Sequence, residues 1–128
     1  MTAEILAPDF GSEPRIQYEA MELLLQNLGP KASRDVIERA VFEISGRMSN
    51  LQEALSEGEL GHIRTIALRL TAISRQIGLV EFSDVATGLV QCIGRNDITA
   101  TYAVAARLIR LGESSLFRAV RFAGMTCA

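Results

Sequence analysis

Few residues in this chain are of a type that does chemistry. It holds one histidine, His62, and two cysteines, Cys92 and Cys127. A hydrolase needs a nucleophile, a base and a group that orients the base; one histidine and no glycine-framed serine supply no such set. A zinc site is not expected, because neither cysteine has a Cys-x-x-Cys partner. No pair of Glu-x-x-His motifs is present for a di-iron bundle. Gly58, Gly61 and Gly78 fall at helix ends and form no phosphate-cradling loop. The remaining polar candidates, Thr65, Thr71 and Ser74, would need an activating base that their helix does not provide. The reading is therefore no enzyme, no metal and no cofactor, with both cysteines as reduced thiols.

The elements that must position these residues follow from apolar spacing. Residues 1–12 read as a flexible leader with Pro8, Gly11 and scattered acids, and 13–128 as one domain. Ser12 can cap a helix whose first turn holds Glu13 and Pro14, with Ile16, Ala20, Leu23, Leu24 and Leu28 inward and Gly29-Pro30 as its stop. Ser33 and Asp35 begin a longer helix whose stripe is Ile37, Ala40, Val41, Ile44, Met48, Leu51 and Leu55, closed at Glu57-Gly58. A third runs from Glu59 to Ile77 and stops at Gly78. A fourth spans Val80 to Gly94 with Phe82, Val85, Ala86, Leu89 and Ile93 on one side. A fifth starts at Asn96 or Asp97 with Val104, Ala105, Leu108 and Leu111 inward. Its phase slips before Leu116, Val120 and Ala123, which predicts a break around Gly112 to Ser115. Phe117 and Phe122 are expected in the core with Phe82. No segment alternates as a strand does. The fold class is all-α, an antiparallel four-helix bundle with an extra N-terminal helix.

Composition sets the outer limits. A chain of 128 residues buries roughly two-thirds of its unfolded surface, enough for one core. It is 48% hydrophobic and carries a net charge of -2, which argues against nucleic acid as the main partner. Arg107, Arg110, Arg118 and Arg121 read as a solvated helix face rather than a nucleic-acid stripe. The N-terminus is no signal peptide, and no stretch approaches the ~18 apolar residues that cross a bilayer. The expected location is the cytoplasm, away from membrane. The charge is uneven, however: Leu60 to Gly78 holds Arg64, Arg69 and Arg75 and no acid, a local positive face that can attract an acidic partner.

That same segment contains a residue that breaks its own pattern. Ile63, Ile66, Ala67, Leu70, Ile73, Ser74 and Ile77 fall within an arc of roughly 120°. Leu68 points about 160° away from the middle of that arc. Its neighbours at helical spacing are Arg64, Thr65, Thr71, Ala72 and Arg75.

Two stretches give the face a context. "NLGPKASRDVIERAVFEISGRMSNLQEAL" and "SEGELGHIRTIALRLTAISRQIGLVEFSDVA" resemble the opening and central signature of the histidine-containing phosphotransfer (HPt) domain of bacterial phosphorelays. The resemblance covers Leu24 to about Phe122, some three-quarters of the chain. The family signature leads from Gly-Asp into Ala-His-x-Leu-Lys-Gly and then Leu-Gly-Ala, and the spacing from Glu59 through Ala67 and Leu70 to Gly78 fits it without a gap. The resemblance puts Leu68 at the phosphohistidine, Thr71 at the lysine that neutralises phosphate, and Ala72 at the glycine that admits a partner. Leucine has no lone pair with which to attack an acyl phosphate.

What the resemblance implies is a docking surface without the transfer chemistry, formed by Arg64, Thr65, Leu68, Thr71, Ala72 and Arg75. Its implied partner is a response-regulator receiver domain or a histidine kinase, and its role that of an adaptor or competitor. Two alternatives stay open: phosphotransfer through His62, which lies roughly 120° around the helix from Leu68, and a self-associating helical module in which Leu68 packs against a second copy as a homodimer.

Overall fold

Three short connections set the topology of residues 13–124, which the computed structural model describes. Helix α1 is Tyr18–Glu57, α2 Leu60–Gln76, α3 Val80–Gly94 and α4 Ile98–Ala123. Links of two and three residues leave no room for a crossover, so each helix runs antiparallel to the one before it. Contacts join α1 to α2, α2 to α3, α3 to α4 and α4 back to α1, a closed ring of four. No strand occurs among the described residues, so the all-α expectation holds. The leader 1–12, its Ser12 cap and Cys127 lie outside them.

The stripes read from spacing form the interior. Ile37, Ile44, Leu51, Ile63, Leu70, Phe82, Leu89 and Leu108 are fully or almost fully buried. Burying side chains of this size contributes roughly 1.5–3 kcal/mol each. Asp97 accepts a hydrogen bond from the Ala100 amide at 3.1 Å and caps α4 as expected.

The start of the chain departs from expectation. No helix begins at Glu13 or Pro14; α1 starts at Tyr18 and residues 13–17 form a strap across the α2–α3 turn. The strap's backbone groups find partners there instead of within a helix: the Gln17 amide donates to Gly78 O at 2.8 Å, and the Glu81 amide to Arg15 O at 3.2 Å. Gly78 is required twice at this turn. Its φ of 82° is in the left-handed region, and a side chain there would collide with Gln17 O.

The expected N-terminal helix is the first part of α1, 18–28, set off from the rest by Gly29, whose φ of 84° and ψ of 171° are not helical. The second part starts at Pro30 rather than at Ser33, whose buried hydroxyl donates back to Pro30 O at 3.1 Å. The arm also turns differently from its predicted phase. Met21 is the buried residue, while Leu23 and Leu28 are exposed. Tyr18 stacks on Phe122 with ring centroids 5.6 Å apart, so the arm is docked at the end of α4.

Helix α4 shows the second correction: it runs unbroken through Gly112 to Ser115. The apparent phase slip came from counting only large apolar residues. Thr101, Ala105, Leu108, Gly112, Ser115, Leu116 and Ala119 make one continuous buried stripe. Gly112 sits inside because nothing larger fits: a Cβ there would overlap Met48 Sδ and lie 2.9 Å from Phe82. Phe117, expected in the core, falls on the outside of this stripe at 55% exposure, with Arg121 over its ring at 5.6 Å.

Candidate functional site

Helix α2 owes its orientation to the inner arc, where Ile63, Ile66, Ala67, Leu70 and Ser74 are buried. That arc leaves Leu68 pointing out, 45% exposed, at the middle of the helix. Leu68, Thr71, Ala72, Arg75 and Gln76 form one wall of an open groove, and Thr87, Val90 and Gln91 of α3 form the other. Its volume is about 530 Å³.

The groove's surface is mostly apolar for a local reason. Thr71 Oγ1 donates to Ala67 O at 3.0 Å and Thr87 Oγ1 to Ser83 O at 3.1 Å, so both hydroxyls are spent on their own helices. What each offers the groove is its methyl group, beside Leu68, Ala72 and Val90.

Of the six residues singled out from sequence, Leu68, Thr71, Ala72 and Arg75 come together in this groove. Arg64 and Thr65 do not line it; they stand one turn earlier on the exposed side of α2. Among the described residues no carboxylate pairs with Arg64, whereas Arg75 is engaged. Its Nε donates to Ser83 Oγ at 3.1 Å, and its Nη2 lies 3.9 Å from Asp84 Oδ1. The other Asp84 oxygen is 3.5 Å from Arg15 Nη2. Arg75 is thus a steered cation that leans on α3, not a freely swinging rim charge.

The α3 wall was missed from sequence. Val90 lies one position off the buried stripe of Phe82, Ala86 and Leu89; Thr87 stands three residues before it, and Gln91 four residues after Thr87. An apolar residue beside the stripe was the available signal. Only the packing of α3 on α2 turns it toward Leu68.

The candidate nucleophiles are placed unfavourably for attack. Thr65 Oγ1 donates to Gly61 O at 3.1 Å. Ser74 is buried and donates to Leu70 O at 2.6 Å. His62 is exposed in the first turn of α2, with Nδ1 3.6 Å from Glu59 Oε1. Glu59 and His62 make a lone Glu-x-x-His pair, and no cluster of three metal-ligating side chains occurs among the described residues. Cys92 is a buried free thiol on α3. The arrangement can hold an apolar segment against an arginine-bearing wall, and it presents no activated nucleophile. Set against models of protein families, curated proteins and solved structures, the chain matches none of them.

Proposed function

We propose that the chain is a docking module of the HPt type that has lost the phosphoryl acceptor, acting as an adaptor or competitor in a two-component phosphorelay. It binds a receiver domain, or the histidine-bearing helix of a kinase, through the outer face of α2. A partner held only by docking contacts is blocked from a genuine phosphodonor. The observation that carries this reading is Leu68: an exposed hydrocarbon side chain in an apolar groove, at the position where the resembling family presents its imidazole.

The closed helical ring and the acid-free α2 add support, since apolar anchors with a charged rim suit a protein interface. No described helix is long and apolar enough to cross a membrane, and the proposed place of action is the cytoplasm, where receiver domains work.

The test is incubation with a panel of phosphorylated receiver domains and kinase histidine-helix domains, following both binding and label. The expected result is binding to at least one partner without transfer of acid-labile phosphate. Label appearing on this chain, at His62 or elsewhere, overturns the reading. So does a failure to bind any of the panel. A stable homodimer in light scattering that is lost on Leu68→Asp replaces it with the self-association alternative.

A further inference from the structure

In the ring of four helices, α1 and α4 are neighbours on the side away from the α2–α3 groove. Their outer face carries the two most exposed aromatic residues among those described, Phe42 at 80% and Phe117 at 55%. We propose that this face pairs two copies of the chain about a two-fold axis, as a weak dimer with both grooves turned outward. The dimer goes beyond the docking reading and stands without it, because it leaves the groove untouched.

Three observations carry it. The first is level. The Tyr102 hydroxyl donates to Leu55 O at 3.0 Å, Met48 packs on Gly112, and Ile37 and Phe122 line one small cavity. These meetings fix the register of two antiparallel helices. Phe42 follows Ile37 by five residues and Phe117 precedes Phe122 by five, so the two rings stand level. By the same count Glu38 is level with Arg121. Phe42 points away from the buried stripe of α1 and Phe117 away from that of α4, so both face outward on neighbouring helices.

The second is charge. On the outer face of α1, Glu38 stands one turn before Phe42 and Glu53 three turns after it. On α4, Arg121 stands one turn after Phe117 and Arg110 two turns before it. Among the described residues none of these four side chains makes an ion pair. A two-fold axis parallel to the helices lays α1 of each copy on α4 of the other and keeps every level. Phe42 then meets Phe117 of the second copy, Glu38 meets its Arg121, and Glu53 stands within about one turn of its Arg110, each contact made twice. An axis across the helices lays α1 on α1 and α4 on α4, which opposes like charges instead.

The third is room. Gly46, one turn from Phe42, leaves open space where a side chain would stand, and Ser45 and Ser49 are short and exposed. A ring from the facing copy can therefore lie down beside Phe42. Aromatic and arginine side chains are the types enriched at interfaces. Neither ring has a wall of its own and gains one only from the other copy. A contact built from such rings and exposed ion pairs is weak, with a dissociation constant expected at roughly tens of micromolar. At a few micromolar the chain is mostly monomeric.

The test is sedimentation equilibrium of the full chain from about 5 to about 500 µM, where a monomer–dimer equilibrium is expected. Phe42→Asp and Phe117→Asp are each expected to weaken association by about ten-fold or more. Glu38→Arg and Arg121→Glu are each expected to weaken it by about five-fold, and both together to bring it back to within about two-fold, because the exchanged charges again face each other. Leu68→Asp, on the opposite side, is expected to leave it unchanged. A chain that stays monomeric at the highest concentration overturns the inference. So does a dimer indifferent to Phe42 and Phe117, or a charge exchange that fails to restore association. A dimer dissolved by Leu68→Asp overturns it too, since that contact runs through the groove. None of these outcomes involves a receiver domain, so the dimer can fail while the docking reading stands, and the reverse.

Discussion

Phe42 on α1 and Leu68 on α2 both turn a large apolar side chain to solvent, and only one of the two helices builds a site around it. On α1, Phe42 stands 80% exposed, directly opposite the buried stripe of Ile37, Ala40, Ile44 and Met48. Around it at helical spacing lie Glu38, Arg39, Ser45 and Gly46, all exposed on one convex surface. On α2, Leu68 is less exposed at 45%, yet it borders a concave groove because α3 packs alongside and contributes Val90 and Thr87. The difference teaches that exposure alone does not make an anchor. A partner gains most where the apolar residue already has a wall beside it and water is excluded from two sides at once.

The comparison assumes that both residues ride on one rigid core, and the strongest way to break it is to damage that core. Leu70, two positions from Leu68 and fully buried, is expected to cost about 2–5 kcal/mol when changed to alanine, measured by urea unfolding. A loss under about 1 kcal/mol would mean that the inner arc of α2 is misassigned. The next effect concerns the outer residues directly. Leu68→Asp is expected to weaken binding of a receiver-domain partner by at least ten-fold, about 1.4 kcal/mol, in titration calorimetry. Phe42→Asp should change the same affinity by less than two-fold. If the two substitutions are equivalent, the groove confers nothing. The smallest effect is on stability: Leu68→Ser and Phe42→Ser should each shift the unfolding free energy by no more than about 0.5 kcal/mol, since neither side chain packs in the core.

The sequence was most informative where large apolar residues repeat without interruption. In α2 the arc from Ile63 to Ile77 and the outward direction of Leu68 were legible because helical geometry converts position into angle with little freedom. The fourth expected helix, Val80 to Gly94, was equally legible between its glycine stop and the turn before Asp97. The readings that missed share one cause, which is that burial is decided by a neighbour. Gly112 and Ser115 looked like a break because neither is hydrophobic; they are interior because Met48 and Phe82 occupy the space a side chain would need. Pro14 looked like the first turn of a helix; it belongs to a strap whose hydrogen bonds are made to Gly78 and Glu81, more than sixty residues further along the chain. The candidate site divides in the same way. Leu68, Thr71, Ala72 and Arg75 of its α2 wall could be named from spacing, while Gln76, the α3 wall and the hold of Ser83 and Asp84 on Arg75 were not.

The sequence by itself therefore determined the helices, most of their inward faces, the surplus of arginine on α2 and the exposure of Leu68, since each of these follows from local periodicity and residue type. Only the tertiary structure decided that a groove exists there, that the strap crosses the α2–α3 turn and that α4 is continuous. Those features depend on which helices lie side by side and how closely, and close packing between distant residues leaves no repeat in the chain for spacing to reveal.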